Sequence, residues 1–474
     1  MEFLLLHDKM KNTYYDLIEK TYHFPQSSFE VKNNQLLFNN IPLMQLLKDY
    51  GSPLKLTYLP KIASQIQRAR TYFRKAMQKC AYAEDYMFAY CTKSSHFSYI
   101  LDKVLEQNAQ LELSSAVDTQ LVIRLVQRAK LSKETYILCN GYKNRAYIEG
   151  IRILLKMGFK NTMPILDSED ELESYLNFEV DELNLGLRMA VEEKPRFLVY
   201  TSRFGIRKDH LIDFYKEKIK PNPKFKLKML HAFIYTGIQD ITYYWNELYR
   251  FIKMYVQLKQ VSGQLDMINI GGGLPIQNAL DFEYNYQYMC DEIVAQIKNY
   301  CNKKRIREPK LFSEFGSFAV GESGALLLNL LGVKKQNDRE TWYIVDNSFI
   351  STLPDIWAKK QNFILLPLNK WEREYQRVNL GGLTCDNDDF YGSSKNEEEL
   401  FLPIVDGKER EPLAIGFFHT GAYQDSLSGF GGVHHCLIPS PKHILIDLDT
   451  DNRLSYRVFR EEQNSEYLLN LLGY

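Results

Sequence analysis

Phe88-Ala89-Tyr90-Cys91-Thr92-Lys93 is an apolar, aromatic run that ends on a lysine. A run of this kind reads as a buried strand, and a cation at the end of a buried strand is costly unless something there uses it. The plain alternative is a lysine that snorkels from a strand terminus. The surrounding chain bears on the choice. From residue 54 to about 318, apolar runs alternate with amphipathic helical stretches; the runs are 87–92, 110–114, 135–139, 163–166, 182–188, 227–231, 267–270 and 310–314. Eight such alternations over the roughly 250 residues that a barrel of this type needs predict a (β/α)8 TIM-like barrel rather than an open doubly wound sheet.

Outward from the barrel, residues 1–26 read as helical and aromatic, and Phe29 to Phe38 as a hairpin turning at Asn33-Asn34. A helix from Pro42 to Tyr50 should stop at Gly51. This piece is too small to fold alone and is expected to join another domain. Beyond residue 320 strand-like segments dominate: Leu326–Lys334, Thr341–Asp346, Phe363–Pro367, Leu413–His419 and His443–Asp447. The expected division is therefore 1–53 joining the β domain, 54–318 as the barrel, and 319–474 as an all-β sandwich or barrel domain, with Gly392 to Leu400 a polar surface loop.

Composition narrows the function classes. Lys+Arg and Asp+Glu each total 59, so the net charge is zero and neither a nucleic acid nor an anionic membrane is expected as partner. The seven cysteines (Cys80, Cys91, Cys139, Cys290, Cys301, Cys385, Cys436) are odd in number and lack Cys-x-x-Cys spacing, so neither a disulfide framework nor a metal site is indicated. The start, MEFLLLHDKMKN, has no basic region before its apolar patch, and no run of about 18 apolar residues occurs. A cytoplasmic protein is expected.

The chemically capable residues fall at the C-terminal ends of the apolar runs, where a barrel places its active site. Lys93 ends the first run, Glu112 lies in the second, Arg188 ends the fifth, His231 is placed on the seventh, Gly271-Gly272-Gly273 follows the next, and Glu314 ends the last. A glycine triplet after a strand supplies backbone N–H groups to a phosphate, although such triplets also mark plain turns. A lysine able to form a Schiff base, a phosphate loop and a carboxylate on one rim point to pyridoxal 5'-phosphate, whose pyridine nitrogen a carboxylate keeps protonated.

YCTKSSHFSYILDKVLEQNAQLELSSAVD resembles the cofactor-lysine segment of the fold type III, alanine racemase-like pyridoxal-phosphate decarboxylases, and INIGGGLP resembles their glycine loop. SEFGSF is similar to their Glu-x-Gly-Arg turn, LTCDNDDFYG to their Cys-Asp/Glu segment, and GAYQDSL to their Gly-Ala-Tyr segment. STLPDIW (351–357), LTCDNDD (383–389) and GAYQDSL (421–427) carry a nearer likeness to the biosynthetic arginine decarboxylases, without their inserted helical domain.

The resemblance implies that Lys93 holds the cofactor, that Glu314 pairs with its ring nitrogen, and that Glu112 and Arg188 line the ring. It puts Gly271, Gly272, Gly273, Gly316, Ser317 and Tyr423 near the phosphate. It makes Cys385 the proton donor to Cα from the second subunit of a homodimer with shared sites, tetramers not excluded. Asp386 and Asp388, with Asp346 by looser alignment, would meet the distal cation of a basic amino acid. On the residues alone, Cys385 reads as a buried thiol, the acidic run Asp386, Asp388, Asp389 as a solvated turn, Arg188 as an ion-pair partner and His231 as a satisfied core histidine.

Two departures stand out. LHAFIYTG replaces His-x-Gly-Ser, aligning Phe233 with the stacking histidine and Thr236 with the serine, while His231 remains a rival for stacking. Ser317 stands where an arginine is usual, so a phosphate charge partner becomes a hydroxyl. The implied reaction is decarboxylation of L-arginine to agmatine. Ornithine, lysine, diaminopimelate or a carboxy-polyamine are alternative substrates, and an inactive homologue that regulates a true decarboxylase is an alternative from another class. A racemase is disfavoured by Glu314.

Overall fold

The structure, a computed structural model, describes residues 24–128, 130–191, 202–337, 340–392 and 399–474. It contains two units. One comprises Ile62–Ile276 with Tyr284–Val320; the other comprises the described residues up to Lys61, Gln277–Glu283 and Gly321–Tyr474. The helix expected over residues 1–26 lies outside the described residues up to position 23, as does the expected polar loop over 393–398.

In the first unit the strands β1 (Tyr86–Cys91), β2 (Gln110–Leu113), β3 (Ile137–Cys139), β4 (Thr162–Leu166), β5 (Leu183–Arg188), β6 (Phe225–His231), β7 (Met267–Asn269) and β8 (Lys310–Ser313) run parallel. They close a barrel: β8 pairs with β1 through Leu311 and Tyr86, and β5 with β6 through Arg188 and His231. Every expected run became a strand, because a parallel strand covered on both faces must be apolar nearly throughout. His231 ends the sixth strand, not the seventh: its register partners are Arg188 on β5 and Asn269 on β7.

Ala89, Leu138, Met163, Ile165, Met229, Met267 and Phe312, drawn from six of the strands, fill the barrel interior. Gly186 on β5 completes the fit, since a Cβ there would meet Ile165 Cδ1 at 2.4 Å. The small residue gives way to its bulky neighbour, as a filled barrel requires. Several helices outside the strands start at a side-chain cap: Ser115 accepts from Asp118 N, Asn144 from Tyr147 N and Asn285 from Tyr288 N.

The second unit is built on a nine-stranded sheet among the described residues. Strand Leu54–Tyr58, expected within the barrel's boundaries, lies in this sheet between Gly324–Lys335, antiparallel, and Lys442–Leu448, parallel. The physical reason is visible in LKLTY. Leu54 and Leu56 are fully buried among Phe29, Leu36 and Phe38 while Lys55 alternates with them, a period-two pattern unlike the continuous apolar barrel runs. The hairpin Phe29–Lys32 with Gln35–Phe38 turns on Asn33 and Asn34 at φ 51° and 59°, both left-handed as a type I′ turn demands. Strands Tyr375–Arg377, Phe401–Pro403 and Leu454–Arg460 and the helix Ser465–Leu472 go beyond the sequence expectation.

Candidate active site

Lys93 sits in the 3₁₀ turn Thr92–Ser94 directly after β1, and its Nζ donates to Glu112 Oε2 on β2 at 2.7 Å. The Lys93 side chain is 42% exposed and that of Glu112 only 1%, so a partly open lysine is paired with an enclosed carboxylate. Burial pushes the Glu112 carboxyl above the usual carboxylate range, with Lys93 opposing and Glu314 adding to the shift. The amine is tied to a buried carboxylate.

Glu314, just past β8, is buried too. Its Oε1 accepts from Asn269 Nδ2 at 2.7 Å, and its backbone N–H donates to Gly271 O at 2.8 Å. Burial raises this carboxyl, opposed by Lys93, Asn269 and Arg188. His231 Nδ1 lies 3.7 Å from Glu314 Oε1. On the other side of the ring, Nε2 is 3.2 Å from Asn140 Nδ2, and Asn140 Oδ1 accepts from Gly141 N at 2.9 Å, which orients the amide. The two ring nitrogens thus face an amide on one side and a carboxylate on the other. Burial and the Arg188 charge pull the imidazole down to about 3, so it is neutral. His231 is wholly enclosed, whereas Phe233 is 38% exposed beyond the end of β6.

Arg188 Nη1 is 3.5 Å from Asp167 Oδ1, and its guanidinium lies 4.5 Å from the Phe204 ring centroid. Burial lowers its proton affinity, opposed by Asp167, Glu314 and Glu112. The Thr236 hydroxyl donates to Gly237 O at 3.2 Å.

The glycines have a packing duty as well. Added Cβ atoms would meet Ala232 O at 2.8 Å from Gly271, Glu314 O at 2.7 Å from Gly272, Gly237 Cα at 2.6 Å from Gly273, and Ser94 Oγ at 2.0 Å from Gly316. Gly271 and Gly273 also have φ of +71° and +98°. The Gly271 N–H is spent on Asn269 Oδ1 at 3.0 Å. Among the described residues, the amides of Gly272 and Gly273 donate to no backbone carbonyl.

Cys385, Asp386 and Asp388 lie on an exposed loop of the second unit. Cys385 is therefore not a buried thiol, and the acidic run is not wholly a solvated turn. Asp389 is 4% exposed and accepts from Phe349 N at 2.7 Å, Thr384 Oγ1 at 2.7 Å and Thr384 N at 3.1 Å, anchoring the loop that presents Cys385. Asp386 Oδ1 accepts from Asp388 N at 2.8 Å, and its Oδ2 lies 3.5 Å from His435 Nε2. Cys385 Sγ is 3.6 Å from Cys436 Sγ, and the neighbouring thiol raises its proton affinity.

Asp346 accepts from Asn329 N at 3.0 Å, and burial lifts its carboxyl to about 6. Tyr423 has a left-handed backbone, φ +66°, at the start of the helix Gln424–Ser428, and Lys359 Nζ lies 5.3 Å from its ring centroid. Next to it, buried Gln424 donates to buried Asp355 Oδ2 at 2.9 Å, joining segments 421–427 and 351–357. Sequence reasoning missed Asn140, Asn269, Asp167 and Asp389. Asn140 and Asn269, polar residues at the ends of apolar runs, carried the same signal as Glu314.

Residues 63–321 match the family described as "Pyridoxal-dependent decarboxylase, pyridoxal binding domain". A biosynthetic arginine decarboxylase of Prochlorococcus marinus (strain AS9601) is 23% identical, over 92% of this chain and 85% of the relative. The biosynthetic arginine decarboxylase SpeA from Campylobacter jejuni has the same fold, with a TM-score of 0.77 at 22% identity over 94% of this chain and 89% of its own. So does the diaminopimelate decarboxylase from M. jannaschii in co-complex with L-lysine, with a TM-score of 0.77 at 16% identity over 94% and 97%.

Proposed function

From the premise that the chain belongs to the pyridoxal-dependent decarboxylase family and uses pyridoxal 5'-phosphate, we propose that it converts L-arginine to agmatine and CO₂ in polyamine biosynthesis. The observation that carries the chemistry is the pair of buried carboxylates, Glu112 and Glu314, set beside the Lys93 amine. A protonated ring nitrogen would bring these carboxylates a further cation beside Lys93 and Arg188. The amides of Gly272 and Gly273 would serve the phosphate end. The residues present therefore fit the cofactor.

When bound, the cofactor supplies an aldehyde to an amine and a cationic ring that takes up the electron pair released as CO₂ departs. Lys93 would hold it covalently, and Glu112 would keep Nζ in place and exchange protons with it. Glu314, oriented by Asn269, would hold the ring nitrogen's proton. Neutral His231 backs Glu314 without adding a charge that would compete for it. Phe233 would stack on the ring, Arg188 would lie along it, and Tyr423 would assist the phosphate. Ser317 supplies an amide and a hydroxyl but no cation, which lowers cofactor affinity relative to an arginine there.

Cys385 would deliver the proton to Cα from the partner subunit of a homodimer. Asp386, with Asp388 and Asp346, would face the substrate's guanidinium. A planar fork making two parallel hydrogen bonds to a carboxylate favours arginine over an ammonium substrate. The described cysteines are all free, which suits a reducing cytoplasm, and no described helix is long and apolar enough to cross a membrane.

A panel of basic amino acids assayed for CO₂ release tests the substrate. Arginine is expected to exceed ornithine, lysine and diaminopimelate by about a hundredfold in kcat/KM. A higher value for any of the others would overturn the assignment. Glu314→Gln is expected to retain cofactor while turnover falls by about a hundredfold or more, because a neutral amide cannot hold the ring proton. Unchanged turnover would remove Glu314 from that role.

A further inference from the structure

Cys385 has neighbours that decarboxylation does not call for. Its sulfur is 3.6 Å from that of Cys436, and one ligand atom from each of Cys385, His435 and Cys436 falls within 4.8 Å of the others. Two thiolates on a tetrahedral zinc ion, each with a Zn–S bond of about 2.3 Å, lie about 3.8 Å apart. The two sulfurs are thus already at the spacing of co-ligands. The His435 ring also lies beside a carboxylate, with Asp386 Oδ2 at 3.5 Å from Nε2. All three residues are exposed, so an ion can reach them and a fourth position stays open to water or a small anion.

We propose that Cys385, His435 and Cys436 form a binding site for a soft divalent cation of the zinc class. Occupancy turns the decarboxylase off, because a sulfur bound to the metal has no proton to give. The site stands on the geometry of the second unit alone; the inhibition rests on the proton-donor role proposed above for Cys385. Two thiolates and an imidazole select zinc or cobalt over magnesium or calcium, which prefer oxygen ligands. Metal binding releases the thiol protons, so affinity rises with pH.

The test uses the full-length holoenzyme, with thiols kept reduced by a phosphine, and Co²⁺ then Zn²⁺ as probes. One Co²⁺ per chain is expected, with a thiolate-to-cobalt charge-transfer band that Zn²⁺ abolishes by displacement. Cys436→Ser and His435→Ala each weaken Zn²⁺ binding by about a hundredfold, and inhibition is read relative to each variant's own metal-free turnover. Zn²⁺ lowers turnover in the unmodified enzyme and not, at the same concentration, in Cys436→Ser. Absence of the charge-transfer band, or its persistence in Cys436→Ser, overturns the site. A band lost in Cys436→Ser, with turnover untouched by Zn²⁺, upholds the metal site and removes Cys385 from the reaction instead.

Discussion

Lys93→Ala is expected to lose the covalent link to the cofactor and, with it, at least about a thousandfold in turnover. The argument begins with charge. The Lys93 amine is the cation held at 2.7 Å from buried Glu112, in a rim whose other buried carboxylate, Glu314, is also pushed up by burial. Removing it takes away the group that bonds the aldehyde and leaves both carboxyls with still greater proton affinity. Two measurements check this. Borohydride reduction followed by mass analysis should fix the cofactor on Lys93 in the unmodified chain and on no residue of Lys93→Ala, and the visible absorbance of the bound cofactor should change accordingly. A variant that keeps both the covalent adduct and full activity would show that another lysine does this work. Lys143 is an unsuitable substitute, since its Nζ is enclosed and spent on Glu171 at 2.9 Å, Ile165 O at 2.7 Å and Gly141 O at 2.8 Å.

The second large effect concerns Cys385. Cys385→Ala should fold and bind cofactor, because the thiol is exposed and Asp389, not Cys385, anchors its loop. Turnover should fall by about a hundredfold, and part of the product should carry a misplaced proton, since water or Lys93 must act in its stead. If the thiol serves the partner subunit's site, mixing Lys93→Ala with Cys385→Ala restores activity. Random exchange makes mixed dimers with one intact site, about a quarter of all sites. Demonstrated exchange without recovery would mean that the two residues do not share a site.

Much of the barrel was legible because its physics is local. A strand covered on both faces has to be apolar along its length, so Phe88–Cys91, Ile137–Cys139 and Met267–Asn269 announced themselves. Reactive residues at the ends of those strands, Lys93 and Glu314 among them, followed from the same reading. The hairpin was legible for an equally local reason, two asparagines that tolerate left-handed backbone. Strand Leu54–Tyr58 was assigned to the wrong unit because five alternating residues do not say which sheet they will join; the partners are residues 324–327 and 442–446.

By itself, the sequence determined the succession of barrel strands, the lysine and carboxylate at its rim, and the likeness to a decarboxylase family, all of which rest on periodicity or on short contiguous motifs. Only the tertiary structure decided which polar residue is enclosed and what it touches. It enclosed His231 between Asn140 and Glu314, set Asn269 against that carboxylate, and made Asp389 the buried anchor of an acidic run whose members look alike on paper. It also brought Cys385 against Cys436, 51 residues later. Burial, proton affinity and ligand spacing are set by atoms distant in sequence, and local pattern holds no information about them until the chain has folded.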